Sequence, residues 1–136
     1  MKRNGRLALA LHTLGHMAHE PERVRTSADI AAHAGTNAVV VRRVLGRLRE
    51  AGLLISERGH AGGWRLARAP QKISLADIYL AIDERLIQTG EEVARSDCSV
   101  EQALHQRVSL VLEDVERSLI SRLAATSIAE MCETST

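Results

Sequence analysis

The chain has 136 residues, of which 45% are hydrophobic, a net charge of +1, and Trp64 and Tyr79 as its only aromatic side chains. This length predicts one domain with an appended element, and a core that lacks aromatic residues must be built from Leu, Ile, Val and Ala, which suits packed helices. No apolar run approaches a membrane span, no signal peptide is recognisable, and two cysteines are too few for a disulfide framework, so we expect a soluble cytoplasmic protein.

Charge is divided unevenly along the chain. Residues 1–70 carry twelve Lys and Arg against five Asp and Glu, whereas residues 71–136 carry six against twelve. A basic half attracts phosphates, and an acidic half is repelled by them and should face away from DNA. Chance variation is the alternative explanation, but a swing of this size at one boundary disfavours it.

Hydrophobic spacing and capping residues predict three helices in the basic half. The first covers about residues 4–19 and ends before Pro21. The second is short and is capped by Thr26 and Ser27. After a polar turn, the third runs from about Ala38 to Ala51. A short helix, a turn and a longer helix together predict a helix-turn-helix.

The third helix has two faces. Its inward face carries Val41, Val44, Leu45 and Leu48. An outward face, offset by two residues or about 200°, carries Val39, Arg42, Arg43 and Gly46. Arginines beside a polar turn can reach guanine edges or phosphates, and Val39 can meet a thymine methyl group. The alternative is a solvated basic face without a ligand.

A glycine-rich basic segment, Arg58-Gly59-His60-Ala61-Gly62-Gly63-Trp64-Arg65-Leu66, follows this helix directly. It lies between short strand-like runs, which predicts a β-hairpin with a basic tip. Such a hairpin after a helix-turn-helix is typical of the wing of a winged-helix DNA-binding domain. An ordinary hairpin and a phosphate-binding glycine loop are the alternatives, and the second is weak because no Walker lysine follows.

The acidic half predicts two further helices. Ser74 and Asp77 form a capping-box pattern at the start of a fourth helix. A polar connector, residues 84–98, then leads to a long helix from Ser99 to about Ile128, whose apolar stripe is Leu104, Val108, Leu112, Val115, Leu119 and Leu123. Little else in the chain can cover this stripe, so a second copy of the chain is the expected partner.

Several of these segments resemble the Rrf2 family of winged-helix transcriptional regulators. The similarity lies in Thr26–Ala31, Thr36–Gly46, Leu48–Leu53, the wing Arg58–Arg68 and Ile73–Ile78, and so spans nearly the whole chain. The resemblance implies a homodimer joined through the long C-terminal helix, with each recognition helix in a major groove and each wing near a minor groove. It also implies a palindromic operator with half-sites about one helical turn, or a multiple, apart. Family members usually repress, and they release DNA when a sensor site changes state.

The chain departs from the family in its cysteines. Many members hold an iron–sulfur cluster with three connector cysteines about six residues apart. Cys98 matches the last of them, but Glu92 and Leu86 occupy the other two positions. A three-cysteine site is therefore absent. Two milder departures are Trp64, where the family commonly has Tyr as a packing anchor, and Ala38, where Pro is frequent.

Cys98 is the candidate sensor of oxidants or electrophiles. It is predicted at the N-terminus of the long helix, which favours a thiolate, although Asp97 acts in the opposite sense. Oxidation to sulfenic acid, or a disulfide to Cys132 or to the partner subunit, would alter the dimer and release DNA. The alternative is a small semi-buried residue without a role.

Other chemistry is weakly supported. His12, His16 and His19 have a helical spacing that can bind a transition metal, but without a clear further ligand we interpret them as a polar helix face. Cys98 and His105 are about 10 Å apart along a helix, too far for a nucleophile and its base. We therefore predict neither enzymatic activity nor a bound metal or other cofactor.

We predict a mainly α protein with a small β-wing, in which residues 1–83 form a winged-helix domain, 84–98 a connector and sensor loop, and 99–136 a dimerisation helix and tail. Its function would be that of a homodimeric, sequence-specific repressor. Alternatives are a metal- or cluster-dependent regulator of the same fold, and a winged-helix module for protein contacts only. Ser27 and Arg25 should contact phosphate at the start of the second helix. The complete predicted DNA-binding set is Arg25, Ser27, Asn37, Val39, Arg42, Arg43, Arg58, His60 and Arg65.

Overall fold

A computed structural model of the chain describes residues 5–57, 63–82, 84, 86 and 98–133, with only the backbone of residues 132 and 133. Helices dominate this part of the chain, and one antiparallel hairpin interrupts them. The elements in order are α1 (Arg6–His19), α2 (Ser27–Ala34), α3 (Ala38–Glu50), β1 (Leu54–Glu57), β2 (Gly63–Leu66), a 3-10 turn (Pro70–Lys72), α4 (Leu75–Ala81), α5 (Ser99–Ala124) and α6 (Ile128–Glu133).

The helix-turn-helix forms where local capping predicts it. The Thr26 hydroxyl accepts a hydrogen bond from the Asp29 backbone N–H at 3.1 Å, and the Asn37 side-chain carbonyl accepts one from the Val40 N–H at 3.1 Å. Between them Gly35 ends α2 with φ 70°, a left-handed conformation that glycine adopts without strain. The predicted second and third helices are therefore confirmed, and α3 ends one residue earlier than expected.

The wing is an antiparallel hairpin in which Leu54 pairs with Leu66 and Glu57 with Gly63. Its inner edge pairs with the segment that precedes α2. The Arg25 N–H donates to the Trp64 carbonyl at 3.1 Å, and the Trp64 N–H donates to the Arg25 carbonyl at 2.7 Å. These bonds attach the wing to the start of the helix-turn-helix. The predicted hairpin is confirmed, but its tip, residues 58–62, lies outside the described residues.

One aliphatic core joins α1, α3, α4 and the wing. Tyr79 and Trp64 are its only aromatic members. None of the described helices has both the length and the apolarity to cross a membrane. The largest fully buried side chains are Tyr79, Leu14, Met17, Leu45, Leu48, Leu53, Leu54, Ile73, Ile78, Ile82, Ile128 and Val41.

The Ser74–Asp77 capping box is confirmed, but the predicted extent of the long helix is wrong. Helix α5 ends at Ala124, and Ile128 begins a separate helix, α6. Between them the chain is extended: the Leu75 N–H donates to the Thr126 carbonyl and the Ile128 N–H to the Ile73 carbonyl, both at 2.9 Å. This pairing replaces helical hydrogen bonds and places Ile128 in the core with no exposed surface.

Replacing Gly63 with Ala is expected to lower the free energy of unfolding by about 1–3 kcal/mol. A Cβ at this position would overlap the Arg25 backbone carbonyl, which cannot move without breaking its bond to Trp64. Gly15→Ala, in the middle of α1, is the matched control. Its added Cβ meets nothing within 4 Å, so the better helix propensity of Ala should raise stability by about 0.5–1 kcal/mol. Urea unfolding measures the free energy of unfolding of both variants. If Gly63→Ala is no less stable than Gly15→Ala, the tight contact between the wing and Arg25 is contradicted.

Candidate nucleic-acid interface

Helix α3 presents a basic face to solvent. Val41, Val44, Leu45 and Leu48 are all buried on its other side. Arg42 and Arg43 are exposed, and 54% of the Val39 surface is accessible. A hydrophobic side chain with this much exposed surface at the start of a helix is suited to apolar contact with a base, such as the methyl group of thymine. The predicted division of α3 into two faces is thus confirmed.

The structure adds Arg47 to this face. Its side chain is exposed and lies one helical turn after Arg43, so the two guanidinium groups share one edge of α3. Arg47 is absent from the predicted DNA-binding set, although the sequence shows its helical spacing from Arg43. Another arginine of α3, Arg49, faces the wing instead, where its guanidinium donates to the Ser56 hydroxyl at 3.1 Å and lies over the Trp64 ring.

Trp64 fixes the wing relative to the helix-turn-helix. Its side chain is buried, and its indole N–H donates to the Ser27 hydroxyl at the start of α2, at 2.9 Å. The guanidinium group of Arg49, which belongs to α3, lies 5.6 Å from the centroid of the Trp64 ring. One side chain therefore links β2, α2 and α3, which gives the α3 face and the wing a defined relative position.

The other residues predicted to contact DNA differ in their exposure to solvent. Arg65 is half-exposed on β2 and donates to the Glu57 carboxylate across the hairpin at 2.6 Å. Such an exposed pair contributes little stability and exchanges readily for a phosphate partner. Asn37 is exposed at the start of α3, and its carbonyl caps that helix. Arg58 and His60 lie outside the described residues.

Arg25 lies in a cleft between α1 and α2. Only 17% of its side chain is accessible, and its guanidinium donates to the His16 carbonyl and the Glu20 carboxylate, both at 3.3 Å. Glu20 also accepts from Arg23 at 3.1 Å, and this hydrogen bond lowers the pKa of Glu20. The contacts with His16 and Glu20 therefore hold the Arg25 side chain in this cleft.

Three histidine side chains converge in that cleft, which has a volume of about 580 Å³. His12 and His16 come from α1 and His33 from α2, and one ring nitrogen of each lies within 4.8 Å of the others. The His16 and His33 Nε2 atoms are 3.1 Å apart. Burial lowers the pKa of His16, and the neighbouring His12 and His33 act in the same direction. The sequence spacing suggested His19, which lines the cleft but does not belong to the cluster.

Cys98 occupies the N-cap position of α5 and is exposed. The predicted position at the start of the long helix is confirmed. Cys132 belongs to α6, and its side chain lies outside the described atoms. Most of the predicted connector, residues 84–98, also lies outside the described residues.

Helix α5 exposes much of its apolar surface. The side chains of Val100, Leu104, Val108, Val111 and Val115 are 44–64% exposed and lie within about 80° of arc on one face. Further along, Leu119 and Leu123 pack against the core, and the Tyr79 hydroxyl donates to Glu116 at 3.0 Å. The predicted stripe is thus divided into a projecting part and a packed part. Val100 and Val111 are members of the projecting face that the sequence analysis did not include.

Known proteins resemble the chain in sequence and in structure. A family model described as Rrf2, iron-dependent transcriptional regulator, matches residues 3–134. A protein named as an HTH-type transcriptional regulator, YwnA of Bacillus subtilis, is 32% identical over 131 residues, which are 94% of this chain and 95% of YwnA.

Solved structures of similar proteins have the same fold. IscR of T. potens matches with a TM-score of 0.71 and 25% sequence identity, over the full length of this chain and 89% of IscR. CymR, the global cysteine regulator of B. subtilis, matches with a TM-score of 0.66 over all of this chain and 99% of CymR. At 20% identity the likeness to CymR supports the fold alone. The predicted combination of winged helix-turn-helix and long C-terminal helix is confirmed.

The iron in that family description raises the question of which residues could hold it. A thiolate cluster does not fit this chain. It has two cysteines, Cys98 is exposed at a helix start, and Leu86, at an upstream position of the three-cysteine pattern, is a half-exposed aliphatic side chain without a donor atom.

Proposed function

Because the chain belongs to the Rrf2 family of DNA-binding transcriptional regulators, we propose that it is a homodimeric repressor that binds a palindromic operator. The observation that carries this proposal is the exposed Val39, Arg42 and Arg43 face of α3, beside a wing anchored by Trp64. A rigid pairing of a basic helix and a basic hairpin can contact a major groove and the adjacent backbone together.

Within the predicted contact set, the exposed residues of α3 would read bases. Arg42 and Arg43 would donate to guanine edges or phosphates, and Val39 would contact a thymine methyl group. The other residues would contact the phosphate backbone of the DNA. They are Asn37, Ser27, the wing residues Arg58, His60 and Arg65, and Arg47. Arg25 would need to leave Glu20 before it could reach a phosphate, so its contribution should be small.

The projecting face of α5 (Val100, Leu104, Val108, Val111 and Val115) is the proposed dimer interface. Its five apolar side chains repeat at intervals of three and four residues, which is the spacing that lets two helices pack along a seam. A second copy of the chain supplies an identical face, and a two-fold axis closes the assembly. The same axis would relate the two α3 helices and so account for a palindromic operator.

Fluorescence anisotropy with DNA from the region upstream of the gene tests this function. We expect tight binding, competition by the same unlabelled fragment but not by a scrambled one, and a steep fall in affinity with salt because several arginines displace counterions. Weak binding that hardly depends on salt would instead indicate a module for protein contacts only.

We further propose that Cys98 senses oxidants. Its exposure to solvent and its place at the start of α5, two residues before the proposed dimer face begins at Val100, support this role. A peroxide would oxidise the thiolate to sulfenic acid and be reduced to water. A second thiol, from Cys132 or from the partner subunit, would then form a disulfide with loss of another water molecule. Either change lies next to the proposed dimer face.

Mild peroxide treatment is expected to lower operator affinity at least tenfold, and a thiol reductant should restore it. Cys98→Ser should bind the operator as the reduced protein does and lose the response, because serine cannot be oxidised. Cys132→Ser distinguishes the two forms of the switch. It should abolish the response if Cys132 of either subunit is the disulfide partner, and leave it intact if Cys98 stays a sulfenic acid or pairs with Cys98 of the partner subunit. An undiminished response in Cys98→Ser would refute the sensor role.

A further inference from the structure

A cluster of three imidazoles joins α1 to α2, and neither the DNA contacts nor the proposed dimer face uses it. His12 and His16 are one helical turn apart on α1, and His33 approaches them from the last turn of α2. Ring centroids are 4.5 Å apart for His12 and His16, 4.5 Å for His16 and His33, and 5.2 Å for His12 and His33. Each ring thus contacts both of the others.

The spacing of the ring nitrogens suits a metal ion. Two ligands on a tetrahedral Zn²⁺ with Zn–N bonds of about 2.05 Å lie about 3.3 Å from each other. The Nε2 atoms of His16 and His33 are 3.1 Å apart, and a nitrogen of His12 lies within 4.8 Å of both. Because His12 is exposed, a small side-chain rotation can bring its nitrogen to the same distance.

The protonation of the cluster also agrees with a ligand role. Two nitrogens 3.1 Å apart cannot both carry a proton, so at least one ring of the pair offers a lone pair. Neutral imidazole with a free lone pair is the form that binds metals. Arg25 and Arg23 line the same cleft and oppose a cation, whereas Glu20 and Asp29 favour one, so local charge is nearly balanced.

We propose that His12, His16 and His33 form a binding site for a divalent first-row transition metal that prefers imidazole ligands, Zn²⁺ being the representative ion. Three protein ligands leave a fourth position for water or a carboxylate. The site would clamp α2 against α1. Since Gly35 and Thr36 of the turn into α3 lie beside His12 and His33 along one adjoining groove, the clamp would also restrain the start of α3.

Zinc titration of the full chain without a histidine tag tests the site. After treatment with a chelator, the protein is titrated with Zn²⁺ in competition with a chromophoric zinc indicator. We expect one Zn²⁺ per protomer and a rise in the thermal unfolding midpoint when zinc is present. His33→Gln should weaken binding by about 100-fold or more, since losing even an outer partner of a metal ligand costs about 10- to 100-fold. It should also lose the zinc-dependent rise in midpoint.

His19→Gln is the matched control, because it removes a histidine that lines the same cleft but lies outside the cluster. It should bind zinc as the unaltered chain does, and so should Cys98→Ser. The proposal is overturned if zinc does not bind stoichiometrically, if His33→Gln binds as well as the unaltered chain, or if His19→Gln or Cys98→Ser loses as much as His33→Gln. None of these measurements uses DNA, so they stand apart from the test of the repressor function.

Discussion

Replacing Arg43 with Ala is expected to weaken operator binding at least tenfold. A bidentate arginine contact to guanine contributes about 1–3 kcal/mol of discrimination, and a homodimer would lose it in both half-sites. Arg43 is exposed in the middle of the outward face of α3, so its removal should leave the core intact. Anisotropy titrations with specific and scrambled DNA measure the loss, and circular dichroism checks the fold.

Arg117→Ala is the control for this prediction. It removes the same charge from an exposed position on α5, where Arg117 lies 3.4 Å from the Asp114 carboxylate. It should change affinity by less than about twofold, because an isolated exposed ion pair contributes at most about 1 kcal/mol and lies away from DNA. Equal losses in the two variants would mean that net charge, not the α3 face, determines binding.

Val111→Glu is expected to convert the proposed dimer into a monomer at micromolar concentration. Val111 is 62% exposed and lies within the projecting face of α5. In a two-fold dimer each chain would bury a carboxylate in an apolar seam, and the cost of desolvating an unpaired charge exceeds what the seam can supply. Sedimentation equilibrium measures the association state, and operator affinity should fall with it because the half-sites are no longer linked.

Leu110→Glu is an unusually close control. The two residues are neighbours with nearly the same exposure, 64% for Leu110, but Leu110 points about 120° away from the centre of the projecting face. This variant should therefore stay dimeric and bind the operator. If both variants are monomeric, or both dimeric, the seam does not run along Val100, Leu104, Val108, Val111 and Val115.

The sequence predicted the features that depend on neighbours along the chain. Thr26 and Ser74 cap the helices that follow them as predicted, because each cap needs only a backbone N–H three residues away. Asn37 caps α3 by the same local geometry, although it was predicted only as part of the turn and as a DNA contact. The two faces of α3 follow from helical periodicity in the same way. Similar local signals identified the hairpin, and the resemblance to a family added the expected order of elements.

Arg47, Val100 and Val111 were omitted although helical spacing marks them, whereas other features depend on contacts between distant segments. The end of α5 is accompanied by Thr126 and Ile128 pairing with residues near Ile73, over fifty positions away. A local signal was also present, because Ser127 and Glu130 form a capping box at the start of α6, and the prediction of one long helix did not use it. The phosphate contact of Arg25 stays a prediction, but the sequence could not show the cleft between α1 and α2 in which Arg25 donates to His16 and Glu20. His33 could not be grouped with His12 and His16, because periodicity along one helix reveals nothing about a ligand on another.

Hydroxyl-radical footprinting of the upstream fragment tests the central claim most directly. A homodimer that inserts two α3 helices should protect two short stretches related by two-fold symmetry, with centres about 10 base pairs, or a multiple of that, apart. The Arg43→Ala variant should lose both stretches together. A single unpaired stretch, or protection spread evenly along the fragment, would contradict a symmetric repressor that reads its operator through α3.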